Sequence, residues 1–201
     1  SVYDAHNLLT KSTILAHAVY LNEDECKLVK SRNCSISHCP TSNSFLSSGE
    51  APIKKYLKDY NINVSLGTDL SGGFEQGILA IIKQSILVSH HLAMKTGNES
   101  DRISIAEAIY MATRGGAKAV GLSDTVGWFD VGKKFDAQLI HLSAPNSNVS
   151  SFEWQLPQQT DDYDTKRHKL LDLLGKWIFT GDDRNCIKVW CNGRTVIDKK
   201  N

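Results

Sequence analysis

The chain lacks most of the signatures that assign a sequence quickly. In its 201 residues no apolar run approaches the roughly 20 needed to span a bilayer, so no membrane segment is expected. Charge of one sign is missing too. Lys and Arg number 23 against 22 Asp and Glu, a net +1, which leaves no field to steer nucleic acid. The 5 cysteines (Cys26, Cys34, Cys39, Cys186, Cys191) form no C-x-x-C pair and no framework, and they read as reduced thiols of a cytoplasmic protein. No G-x-G-x-x-G follows a strand and no glycine-rich loop ends in Gly-Lys-Ser/Thr, which excludes dinucleotide and P-loop sites. No G-x-S-x-G elbow is present. No secretory signal is visible either, but Ser1 opens directly in structured-looking sequence, so further residues are expected upstream.

What is present is a rhythm. At 41% hydrophobic and 22% charged the composition is that of an ordinary globular protein, and the length suits one good-sized core or a large domain plus a small appendage. Three short apolar runs each end in a polar group. Ile14-Leu15-Ala16 ends in His17, Cys34 to Ser37 ends in His38 before Cys39-Pro40, and Val64-Ser65-Leu66-Gly67-Thr68 ends in Asp69. Strands are expected over 14–19, over 34–39 and from Val64, with helices from Asn22, over 52–60 and over 75–94. Thr41 to Glu50 reads as a polar loop. Strands separated by such helices are βαβ units of a parallel sheet, and catalytic groups collect at the C-terminal tips of such strands. Three units cannot close a barrel, so the sequence asks for partner strands that it does not contain.

Beyond Lys95 the character changes. Ser104 and Glu107 form a capping box that opens a helix to about Thr113. Gly115-Gly116 is expected to start a separate short helix ending at Gly121. A strand over 138–142 is followed by an irregular stretch over 143–163 and a helix over 165–179. Asn192-Gly193 between two alternating runs predicts a hairpin.

Two His and one Asp at consecutive strand tips suggest a metal hydrolase. Imidazoles and a carboxylate can bind zinc or iron, and the carboxylate can also take a proton from an activated water. Asp69 suits that double role, although an Asp before a Gly-rich turn and a helix is also a common N-cap. His17 reads as a ligand, a proton shuttle or a satisfied core His. His38 reads as part of the site or as the end of a strand, with its ring bonded to backbone. Ser42 and Asn43 are candidates to line a pocket. His90 and His91 are adjacent on a helix and face different directions. His6, His141 and His168 have no partner pattern.

Further motifs make a family recognisable. They are Ser1-Val2-Tyr3-Asp4 with Asn7-Leu8-Leu9-Thr10, His38-Cys39-Pro40-Thr41-Ser42-Asn43, Gly67-Thr68-Asp69, Ala112-Thr113 with Gly115-Gly116-Ala117, Gly132-Lys133 with Phe135-Asp136-Ala137, and Gly181-Asp182-Asp183-Arg184-Asn185. With these, the chain resembles the C-terminal part of the guanine deaminase family, in the amidohydrolase superfamily, from Ser1 to about Ile197. The resemblance implies an α/β fold: the C-terminal portion of a metal-dependent-hydrolase (β/α)8 (TIM) barrel plus part of a small β domain. Residues 1–122 would hold the last three βα units with the following helices, and residues 123–201 the small β-domain segment.

It also implies hydrolytic deamination of guanine to xanthine and ammonia at one divalent metal, zinc or iron. Asp69 matches a metal ligand that also accepts the water's proton. His17 matches a catalytic His that hydrogen-bonds the attacking hydroxide, and His38 falls beside the site without a role. The family's metal-binding His-x-His, third metal-binding His, proton-shuttling Glu and guanine-recognising Arg and Gln fall upstream of Ser1. The expected partners are therefore guanine, the N-terminal part of the same enzyme and a second copy in a homodimer. Another amidohydrolase acting on a different amino-heterocycle, or a non-catalytic binding module, fits the same residues.

Overall fold

The computed structural model describes residues 2–199. They divide into two compact units with the boundary between Lys133 and Lys134.

The first unit begins with a short helix α1 (Val2–Ala5) and strand β1 (Ile14–Ala16). Helix α2 (Glu23–Ser31) leads to β2 (Ser35–His38), and helices α3 (Pro40–Phe45) and α4 (Ile53–Lys58) lead to β3 (Asn63–Leu66). The three strands form one parallel sheet in the order β1-β2-β3, with Ile14 opposite Ser35 and Ser35 opposite Asn63. βαβ crossovers account for this order, because parallel neighbours need a helix to carry the chain back.

Ile36 and Val64 in the sheet are fully buried, and so, on the helices, are Cys26, Val29, Tyr56 and Ile81. Strand β1 is different: its pattern is half exposed, and Ile14 keeps 41% of its surface open. Helix α5 (Ile78–Thr96) follows β3 and buries Ile81, Ile82 and Ile86, while Ile78 and Leu92 stay partly exposed. Gly97, at φ +67, closes it in the left-handed conformation that favours glycine.

The structure corrects three expectations. The stretch after Pro40 opens with a helix, α3, where a loop over 41–50 was expected. Proline is well placed in a first helical turn, where its missing N–H costs nothing, and Pro40 to Asn43 are buried. Strand β1 stops at Ala16, because His17 and Ala18 turn left-handed at φ 66° and 49°. Gly115-Gly116 separates nothing. The capped helix α6 (Ile105–Tyr110) runs through a π turn (Met111–Gly115) into α7 (Gly116–Ala119). The reason is packing: a Cβ on Gly115 would lie 2.4 Å from the Val64 carbonyl oxygen, so the bare backbone lets this helix rest on β3.

In the second unit, β4 (Ala137–Ile140), β5 (Cys186–Cys191) and β6 (Arg194–Asp198) form an antiparallel sheet in that order. The hairpin turns on Asn192 and Gly193, both at positive φ, as Asn-Gly requires. Helix α8 (Tyr163–Thr180) is capped by Asp162, whose side chain accepts from the Thr165 amide. Asn185 is fully buried. Its Nδ2 donates to the His141 and Leu142 carbonyls and to Ser147 Oγ, which ties the Gly-Asp-Asp-Arg-Asn turn to the end of β4. Among the described residues no helix is long and apolar enough to cross a membrane.

Candidate active site

The site lies at the C-terminal ends of β1, β2 and β3. His17 follows β1 directly, and its amide donates to the Ser37 carbonyl of β2. The left-handed turn at His17–Ala18 ends the strand and presents the ring. Asp69 lies three residues past β3 and is also left-handed, at φ 48°. Non-glycine residues held in this region cost about 1–3 kcal/mol each, and they gather at sites where orientation matters.

The two side chains meet. His17 Nε2 stands 3.7 Å from Asp69 Oδ2, with 41% and 40% of the side chains exposed. That is longer than a direct hydrogen bond, and short enough for one oxygen atom to touch both.

Both groups are held from one element. In α3, Ser42 donates its hydroxyl to Asp69 Oδ2 at 2.6 Å, and Asn43 Oδ1 stands 2.9 Å from His17 Nδ1. Ser42 and Asn43 are buried. Gly72 lies close across from them: a Cβ there would sit 2.7 Å from Asp69 Oδ2 and 3.1 Å from Ser42 Oγ, so a side chain would have to displace the carboxylate from this position.

His38 is buried beneath this pair, 1% exposed, and its Nδ1 has no hydrogen-bond partner. Burial, with His17 nearby, pushes its pKa down to about 3, so the ring is neutral at ordinary pH. Thr41 Oγ1 and Asn43 Nδ2 are also buried without partners. Burial pushes the Cys39 thiol up, away from thiolate chemistry.

The structure thus brings His17 and Asp69 together and places Ser42 and Asn43 in contact with them. The part played by Tyr56 carried no sequence signal. Its hydroxyl donates to the Ala18 carbonyl at 2.9 Å, across 38 residues. His91 lies elsewhere, 3.7 Å from Glu50 beside Lys95.

A carboxylate oxygen and an imidazole nitrogen facing one gap are the donor types that hold a divalent metal and its water. They fit one side of such a site. Among the described residues no three His, Cys, Asp or Glu side chains gather round one point, so the other ligands are not supplied here.

Comparison with known proteins shows the family. Residues 1–196 match the amidohydrolase family. A probable guanine deaminase of Schizosaccharomyces pombe is 44% identical over 97% of this chain and 34% of its own length. The guanine deaminase of Homo sapiens is 36% identical over 98% of this chain and 41% of its own. Among solved structures, E. coli guanine deaminase superposes with a TM-score of 0.78 at 29% identity, over 99% of this chain and 42% of that one. A C. acetobutylicum guanine deaminase with guanine bound in its active site gives 0.76 at 32% identity, over 98% of this chain and 42% of that one. The chain therefore spans about two fifths or less of the length of these relatives. It belongs to the amidohydrolase family.

Proposed function

We propose that this chain is the C-terminal part of a guanine deaminase, with residues 1–122 contributing the last three units of a (β/α)8 barrel and residues 123–201 part of a small β domain. The observation that carries the reading is His17 Nε2 facing Asp69 Oδ2 at 3.7 Å across neighbouring strand tips. The relatives named above support guanine as the substrate.

The site would take one divalent metal, zinc in the first instance and iron as the alternative. Asp69 would be its ligand from this chain. When bound, such a metal lowers the pKa of a water so that hydroxide is available near neutral pH. Asp69 would take a proton from the attacking water on its carboxylate, and His17 Nε2 would accept a hydrogen bond from it. Attack falls on the amino-bearing C2 of guanine. A carboxylic acid from the upstream sequence would protonate the ring nitrogen, Asp69 would pass the water's proton to the leaving amino group, and the hydroxyl proton would return to the upstream carboxylate as ammonia leaves and xanthine remains. The working enzyme is a cytoplasmic homodimer in this proposal, with the remaining ligands supplied by the upstream part of the same protein.

The test is a substrate comparison on the full-length protein that carries this sequence. Xanthine formed from guanine, with no turnover of adenine, supports the reading. Turnover of adenine or a triazine in place of guanine would assign the site to another amino-heterocycle. The denaturing mass of the active sample should exceed 22.3 kDa or include a second, N-terminal piece. Guanine turnover by the 22.3 kDa chain alone would contradict the shared site.

A further inference from the structure

Building on the deaminase reading, we propose that Asn43 is a positioning residue. It sets the tautomer of His17, so that Nε2 turns its lone pair toward the attacking water beside Asp69.

Ser42 and Asn43 are consecutive in α3 and only 1% and 2% exposed, yet they grip groups from two different strand tips. A neutral imidazole has one proton to place between two nitrogens. An amide oxygen 2.9 Å from Nδ1 can only accept, so the proton sits on Nδ1 and the lone pair on Nε2. Nε2 is the nitrogen that looks across 3.7 Å at Asp69. A nucleophilic water keeps its attacking electron pair free when its hydrogens are accepted by neighbours. An Nε2–H at this point would instead bond to that electron pair.

Asn43 Nδ2 is buried with no hydrogen-bond partner. Turned over, the amide would place Nδ2 against the ring and reverse the tautomer. The β2 unit therefore has a task although neither His17 nor Asp69 comes from it: its following turn holds both, Asp69 through Ser42 and His17 through Asn43.

The tautomer can be read directly. In the full-length protein labelled with 15N-histidine, long-range proton–nitrogen spectra distinguish Nδ1–H from Nε2–H, and His17→Gln assigns the signal. Nδ1–H is expected in the wild type and in Asn43→Asp, which keeps the acceptor. It is expected to be lost in Asn43→Leu, which keeps the size and offers none. With guanine, Asn43→Leu should lower kcat by about 10–100-fold with KM within about threefold, while Asn43→Asp loses less than about tenfold.

Nε2–H in the wild type would overturn the proposal. So would an Asn43→Leu protein whose tautomer and kcat match the wild type. If Asn43→Leu does not fold, the spectra of the wild type and Asn43→Asp still decide. A wild type with Nδ1–H but no guanine turnover would overturn the deaminase reading and leave the positioning of His17 standing.

Discussion

Tyr56 holds Ala18. The Tyr56 hydroxyl, buried at the end of α4, donates to the Ala18 carbonyl at 2.9 Å, and Ala18 is the second residue of the left-handed turn that presents His17. Burial pushes the phenol up to about 12, so it remains a donor across the working pH range. Tyr56→Phe removes one oxygen and leaves the Ala18 carbonyl without this donor. The expected loss is about 1–2 kcal/mol of stability, measured by urea unfolding of the full-length protein. An unchanged midpoint would show that the turn holds itself.

His38 gives stability a pH dependence of fixed sign. Its folded pKa is lowered from the ordinary 6.5 to about 3, first by burial and then by His17. Between those values the unfolded chain binds a proton that the folded chain refuses. Stability therefore falls as pH drops from 6.5 toward 3, by up to about 1.4 kcal/mol per unit. Above 6.5 this His contributes no slope. In His38→Gln the difference in unfolding free energy between pH 7 and pH 5 should shrink. An equal difference in both proteins would remove His38 as its source.

Gly115 is expected to tolerate no side chain. An added Cβ meets the Val64 carbonyl at 2.4 Å and the Tyr110 carbonyl at 3.1 Å, both backbone atoms that cannot swing aside. Gly115→Ala should cost about 1–3 kcal/mol through overpacking, even though alanine is the better helix former. Thermal unfolding decides between the two, since helix propensity alone predicts a gain.

The three strand tips, the helix start at Asn22, the capping box at Ser104 and the Asn-Gly hairpin were legible in the sequence, because each depends on residues a few positions apart. What was not legible depends on contacts made at a distance. Thr41 to Asn43 look polar and loop-like in the sequence. They are helical and buried because Ser42 and Asn43 find partners 27 and 26 residues away. The Gly-Gly pair looks like a break, but β3, some 50 residues earlier in sequence, fixes that helix as continuous. Strand β1 was read too long, since nothing local announces that Tyr56 will hold a left-handed turn at Ala18. At the site, His17 and Asp69 could be named from their positions, while the two residues that hold them could be named only as pocket candidates.

In the proposed enzyme Asp69 binds a catalytic metal and handles the proton of the attacking water. The most direct test is the metal content per chain, with guanine turnover, of full-length wild type and Asp69→Ala. Stability is compared by urea unfolding of the metal-free proteins, where Asp69→Ala leaves the buried Ser42 hydroxyl without its acceptor and should cost about 1–3 kcal/mol. The account predicts about one divalent metal per wild-type chain, a marked loss of it in Asp69→Ala, and turnover reduced by at least about 1,000-fold. A variant that keeps its metal and turns over guanine within tenfold of wild type would contradict it.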